Sequence, residues 1–286
     1  MPLSGLQSLY NVIIITILRS LLELINNVYD YIKDNDYVDI LDLWLMECKA
    51  NNVTGNGQYV MTKALSAEAK EINNHTYIVR ITVLGFTHRP GQYVKIRSSS
   101  GLERYFSILS RSRSAFHNSP SIVELLVKFN EFLSASHRII LDILSGKEIF
   151  ISQPCGQAYW RQSDYGNVLI ACDSSYSYVR SIAEYIADNH SEQPTLLIWI
   201  NETDHTCFDM PYINKLSQAN TEFRFISLEE DYSRRNMSFI NRMFQHIQKS
   251  HFSKSNFYIG SGNSFFQLLK DELGRHGVYK KKNNLR

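Results

Sequence analysis

The hydrophobic period of the chain changes near residue 160, and no single sheet or helical bundle accommodates both halves. Between residues 58 and 152, short segments that alternate or run apolar (58–64, 75–84, 91–96, 104–110, 121–129 and 148–152) are separated by Gly, Ser and Asn clusters. Strand side chains alternate between faces, so these segments read as a small antiparallel six-stranded β-barrel, with a helix over 134–144 before the last strand. From Asn167 onward the pattern becomes strand then helix: strands at 168–171, 195–200, 222–228 and 256–260, helices at 175–188, 210–218, 234–248 and 264–273. Parallel strands need crossover helices, so this half predicts a doubly wound parallel sheet. The expected division is an N-terminal helical extension over 1–52, a barrel domain over 53–160 and an α/β domain over 161–286.

One barrel strand carries candidate chemistry. In Arg104-Tyr-Phe-Ser107 the guanidinium and the Phe106 ring share a strand face, and a hydroxyl follows at the next position. Taken alone, that spacing is equally an ordinary half-buried strand with a solvated arginine. It is preceded, however, by His88-Arg-Pro-Gly-Gln-Tyr-Val-Lys-Ile96, and Gln153-Pro-Cys-Gly-Gln-Ala-Tyr-Trp-Arg161 lies between the two halves. With Val168 to Ile182, these segments resemble the ferredoxin–NADP reductase superfamily, and within it the bacterial NAD(P)H:flavin oxidoreductases, over roughly residues 55–275. The resemblance implies a flavin-type barrel followed by a nucleotide-binding-like α/β domain. It also implies that Arg104 binds the flavin or its phosphate, that Phe106 packs on the isoalloxazine and that Ser107 faces N5. Phe106 replaces the family's usual Tyr, which keeps the stacking surface and loses one hydrogen bond.

The second half departs from that family where the nucleotide would lie. Family members have a Gly-Gly-Thr-Gly loop whose backbone approaches the pyrophosphate at a helix N-terminus; this chain has Cys172-Asp173-Ser174-Ser175. A carboxylate about 4 Å from a phosphate costs about 1 kcal/mol in water and about 4 kcal/mol at an intermediate dielectric. Asp173 is further expected to cap the following helix, its own carboxylate filling the anion position. After strand 195–200 the family's Gly-Gly-Arg is matched by Ile200, Asn201 and Glu202, a reversal of charge. Near the C-terminus Phe257-Tyr-Ile-Gly-Ser-Gly-Asn-Ser-Phe265 keeps the strand and Gly260 but drops the family's cysteine-containing turn, and Lys280 to Arg286 stand where many relatives have an aromatic segment over the flavin. Cys172, Asp173, Ser174, Ser175, Glu202 and Gly260 are therefore read as a degenerate nucleotide loop, and no residue is assigned a catalytic role.

Charge and cysteine content narrow the alternatives. A net charge of +2 gives no strong attraction to nucleic acid or to an anionic membrane. The four cysteines show no metal-ligand spacing and are read as reduced thiols of a cytoplasmic protein, and His246 and His251, five residues apart, miss the helical ligand spacing, so no metal is expected. In residues 1–52, Leu6, Tyr10, Ile13, Ile17, Leu21, Leu24, Val28 and Ile32 recur at helical steps, and Ile14, Ile15 and Leu18 widen the apolar face. Arg19 and Glu23 interrupt a segment that would need about 20 apolar residues to span a bilayer, so no membrane span is expected. This extension is expected either to pack on its own barrel or to dock on a protein partner through Ile13, Ile17, Leu21 and Leu24.

Two functions remain open. The one favoured is a catalytically degenerate flavin-reductase-like protein acting as a binding or scaffold subunit of a larger assembly, such as a bacterial secretion or coupling complex, with no cofactor expected and NAD(P)H disfavoured by the altered loop. The alternative is an NAD(P)H:flavin oxidoreductase, with FAD, FMN or riboflavin on Arg104, Phe106 and Ser107.

Overall fold

A computed structural model describes residues 60–73, 75–111, 119–129, 132–202, 207–247 and 254–278. The N-terminal extension, with Ile13, Ile17, Leu21 and Leu24, and the closing segment 280–286 lie outside them. Both halves of the described chain belong to one compact unit, residues 54–286.

The first half is an antiparallel barrel built from two sheets. β1 (Met61–Lys63), β7 (Ile149–Ser152), β4 (Tyr93–Ser98) and β5 (Glu103–Ser107) form one sheet in that order; β2 (Ser66–Asn73), β3 (Thr76–Leu84) and β6 (Pro120–Lys128) form the other. A bridge between Ile108 and Leu125 joins the end of β5 to β6. Every second residue points inward: Val79, Ile81 and Val83 on β3, Val94 and Ile96 on β4, Val123, Leu125 and Val127 on β6, Ile149 and Ile151 on β7. Burying such side chains stabilises by about 1.5–3 kcal/mol each relative to exposure. Helix α1 (Ala135–Leu144) adds Ile139, Ile140 and Ile143 to this core, its start fixed by Ser134, whose hydroxyl accepts from the His137 amide.

Among the described residues seven strand segments stand where the sequence predicts six, the added one being β2. Its sequence, Ser-Ala-Glu-Ala-Lys-Glu-Ile-Asn, has no aromatic residue and a single β-branched one, Ile72, so it carries little of what marks strands. Pairing with β3 makes it one: Ala67 and Ala69 meet the core opposite Ile81 and Val79, while Glu68 lies opposite Arg80.

In the second half a parallel sheet runs in the order β10 (Phe223–Glu229), β9 (Thr195–Asn201), β8 (Gly166–Cys172), β11 (Ser255–Gly260). Its helices are α2 (Tyr176–Asn189), α3 (Met210–Ala219), α4 (Met237–Phe244) and α5 (Asn263–Arg275). Alternate strand residues feed two cores. Leu169, Leu197, Trp199 and Tyr258 pack with α2 and α3; Val168, Ile170, Ile198, Ile200 and Phe257 pack with α4 and α5. A sheet covered on both faces explains why β8 and β9 read as continuous apolar runs.

The halves meet along α2. The Gly91 amide donates to Ser181 Oγ at 3.0 Å. Its φ is +94°, and a Cβ there would lie 2.9 Å from the Tyr178 ring and 3.0 Å from the Ala158 carbonyl oxygen, so only glycine fits this approach. Across the same junction Tyr178 Oη donates to Ala158 O at 2.7 Å and Arg180 donates to Leu109 O at 3.2 Å.

Candidate functional site

In doubly wound sheets ligands bind beyond the C-terminal ends of the strands. Here that edge is closed by the chain's own side chains. Residues 173–175 form a 3-10 turn between β8 and α2, and the helix begins without a side-chain cap. Asp173 therefore does not cap α2, contrary to expectation. Its carboxylate turns to Arg235 instead, with Nη1 donating to Oδ2 at 2.6 Å and Nη2 to Oδ1 at 3.1 Å. Oδ1 also accepts from the Glu202 amide at 3.2 Å, and the Asp173 carbonyl accepts from Trp199 Nε1 at 3.2 Å. A bidentate guanidinium beside it outcompetes the helix amides for this carboxylate. The Arg235 side chain is only 2% exposed.

The Asp173 backbone has φ +49°, the left-handed region that glycine enters without cost and that Asp tolerates better than most residues. The turn thus follows a glycine-like path while carrying an acid.

The other loop residues converge on the same edge. Ser175 Oγ donates to Gly260 O at 2.8 Å and also hydrogen-bonds the Cys172 backbone, tying the end of β8 to the end of β11. A Cβ on Gly260 would lie 2.9 Å from Ser175 O and 3.0 Å from Ser175 Cβ, so this crossing requires glycine. Glu202 extends towards Lys128 of β6, with Nζ 3.4 Å from Oε2. Behind the turn the Tyr176 ring stacks on Trp199 at 3.8 Å and 10°, and Phe208 meets Trp199 edge-on at 5.4 Å. The concavity lined by Lys128, Asp173, Ser174, Trp199, Asn201 and Phe208 measures ≈20 Å³, room for about one water.

On the barrel, β5 pairs with β4 so that Arg104 lies opposite Ile96, Phe106 opposite Val94 and Ser107 opposite Tyr93. Phe106 is half-buried and packs against the barrel core. Ser107 belongs to the other face with Tyr105, whose ring meets Tyr93 edge-on at 5.6 Å and lies 5.6 Å from Lys95 Nζ. Register thus brings Arg104 and Phe106 to one face and Ser107 to the other. Tyr93, Lys95 and Tyr105 form a ring-and-cation surface that sequence reasoning passed over, although Tyr93 and Lys95 stand inside the motif it used.

Arg235 was also missed. It lies 62 residues from Asp173 and has no motif of its own; its one legible signal is its place at the start of the predicted helix 234–248, at the ligand-binding edge of the sheet.

Among the described residues no helix is long and apolar enough to cross a membrane, and no group of His, Cys, Asp or Glu side chains is arranged to hold a metal ion.

No family model matches the chain. An NAD(P)H-flavin reductase of Aliivibrio fischeri is 26% identical over 147 residues, 50% of this chain and 61% of that protein, so the match spans less than two thirds of the relative. A ferredoxin reductase of carbazole 1,9a-dioxygenase superposes with a TM-score of 0.64 at 15% identity, covering 79% of this chain and 68% of the other. The ferredoxin NADP+ reductase of Neisseria gonorrhoeae, solved with FAD and NADP, gives 0.61 at 14%, covering 81% and 98%. The FAD/NAD-binding domain of a nitric oxide dioxygenase from Vibrio cholerae gives 0.62 at 14%, covering 78% and 95%. With an antiparallel barrel leading through residues 153–165 into a parallel four-stranded sheet, the described chain has the fold of the ferredoxin–NADP reductase superfamily.

Proposed function

We propose that this chain is a catalytically degenerate flavin-reductase-like protein that serves as a binding or scaffold subunit of a larger, cytoplasmic protein assembly. The observation that supports it is the Asp173–Arg235 pair. An internal carboxylate occupies the turn at which the family's loop approaches a pyrophosphate, and it already holds the guanidinium that could have met a phosphate. NAD(P)H does not fit this edge: Asp173 would repel its phosphates, and the adjoining cleft is closed to about one water. In this reading residues 53–160 and 161–286 are the flavin-type and nucleotide-type domains, and residues 1–52 dock on the partner through Ile13, Ile17, Leu21 and Leu24. A bacterial secretion or coupling complex is one such assembly.

Titration calorimetry of the full-length protein with NADH and NADPH tests the reading, alongside the Asp173→Gly, Ser175→Gly double variant. Absent or millimolar binding by the native chain, tightened about tenfold or more by the two glycines, is expected. Micromolar binding by the unmodified chain overturns it.

A second reading, an NAD(P)H:flavin oxidoreductase, is favoured by β5. Arg104, Phe106 and Ser107, with the Tyr93 and Tyr105 rings nearby, are residue types that suit a planar, anionic flavin. FAD, FMN or riboflavin bound there would supply hydride chemistry, and these side chains would hold and orient it. Visible absorbance of the purified protein, followed by NADPH oxidation with added flavin, decides between the readings.

A further inference from the structure

On the side of the junction that carries the second half of α2, a concavity of ≈490 Å³ is lined by His88, Arg89, Pro90, Tyr159, Trp160, Arg161 and Tyr185. It is made from three stretches: the barrel turn before Gly91, the connection between the halves, and α2. Its size falls within the range of about 300–1,000 Å³ typical of small-molecule sites, and none of its residues belongs to the loop around Asp173.

The chemistry of its walls is specific. The Arg89 and Arg161 guanidinium groups both lie over the Tyr159 ring, 4.4 and 4.8 Å from its centroid. Stacking on a ring holds a guanidinium in place while leaving its in-plane donors available. Both arginines are exposed, and among the described residues neither has a carboxylate partner. The nearest acids of α2 are taken: Glu184 by Arg180 and Arg111, Asp188 by Arg111. Trp160 is 8% exposed, packs against His190 and Tyr185 at 4.6 and 5.0 Å, and its buried indole N–H has no hydrogen-bond partner among the described residues. A buried indole N–H normally finds an acceptor. His88 Nε2 is engaged with Ser110 O at 2.9 Å, and burial lowers its pKa, so the ring is neutral near pH 7.

We propose that this concavity is a binding site for a planar, phosphorylated ligand of the nucleotide class, its phosphate on Arg89 and Arg161 and its ring system against the Tyr159, Trp160 and Tyr185 walls. Paired guanidiniums recognise phosphate by parallel donors. An acidic peptide would also satisfy the arginines, but its side chains would leave the aromatic walls unused. Because the site is built from both halves, its occupant also ties the barrel to α2.

AMP is the probe, titrated at low ionic strength into the full-length protein by calorimetry and by tryptophan fluorescence, with inorganic phosphate and a hexaglutamate peptide in parallel. AMP is expected to bind and to quench fluorescence, more tightly than phosphate or peptide. Arg89→Gln with Arg161→Gln should weaken AMP about tenfold or more and leave the melting temperature unchanged, since both side chains are exposed. Trp160→Phe should remove most of the quenching while AMP still binds. No AMP binding at millimolar concentration, affinity unaltered in the double arginine variant, or phosphate or hexaglutamate binding at least as tightly as AMP overturns the proposal.

Discussion

The β5 strand and the turn after β8 are the two places where the family resemblance would seat a cofactor, and they treat charge in opposite ways. On β5, sheet register spreads Arg104, Phe106 and Ser107 over two strand faces, with Tyr93, Lys95 and Tyr105 beside them. In the turn, Asp173 is consumed by Arg235 and by the Glu202 amide, and the ring beneath it is already stacked by Tyr176. A strand's chemistry follows from alternation and survives substitution at single positions. A phosphate loop depends on backbone approach, and one side chain is enough to fill the space. The difference teaches that side-chain alternation on a strand and backbone approach in a turn respond differently to the same kind of substitution.

The strongest way to break this comparison is to remove Arg235. Arg235→Ala leaves the Asp173 carboxylate at a half-buried site without its cation, and the expected loss of stability is about 3–5 kcal/mol. Urea denaturation measures it; a loss under about 1 kcal/mol would mean that water already shares the carboxylate and that the turn is not closed by this pair. The barrel side is sharpened by Arg104→Ala with Ser107→Ala. Flavin affinity should fall about tenfold, equal to one charge-assisted hydrogen bond, while stability changes little; unchanged affinity would strip β5 of its role.

A third test reads the acid sensitivity of the barrel half. Burial opposes the charge of Asp142, but hydrogen bonds from Lys147, Ser100 and Ser98 outweigh it and hold the carboxyl at about 2, below its ordinary 3.8. A depressed carboxyl stabilises the fold above its unfolded value, and the contribution is lost as pH falls from 3.8 through about 2. After allowance for solvent screening this amounts to about 1 kcal/mol. Asp142→Asn should flatten the stability profile in that window, and a profile identical to the parent's would refute the assignment. The smallest effect is expected at Glu202→Gln, which removes a partly exposed pair with Lys128 and should cost less than about 1 kcal/mol in thermal denaturation.

Most of the second half was legible because a sheet buried on both faces writes apolar runs between amphipathic helices, as in Val168 to Ala171 and Thr195 to Ile200. β2 was not legible, since two alanines among charged residues become a strand only through β3. At the candidate site the identity of Asp173, Ser175 and Glu202 could be read, and so could their departure from a phosphate loop. The carboxylate's partner could not. A capping role follows from local sequence, whereas the choice of Arg235 is made by three strands converging at one edge of the sheet. The Tyr176–Trp199 stack is equally non-local, joining the start of a helix to the neighbouring strand.

The left-handed backbone at Asp173 also bears on how such a chain can change over generations. Its turn already runs along a path that glycine takes at no conformational cost. Replacing one residue there asks for no rebuilding of the loop, of β8 or of α2. One substitution at Asp173 therefore takes away the carboxylate that Arg235 now pairs with while leaving the backbone path of the turn as it is.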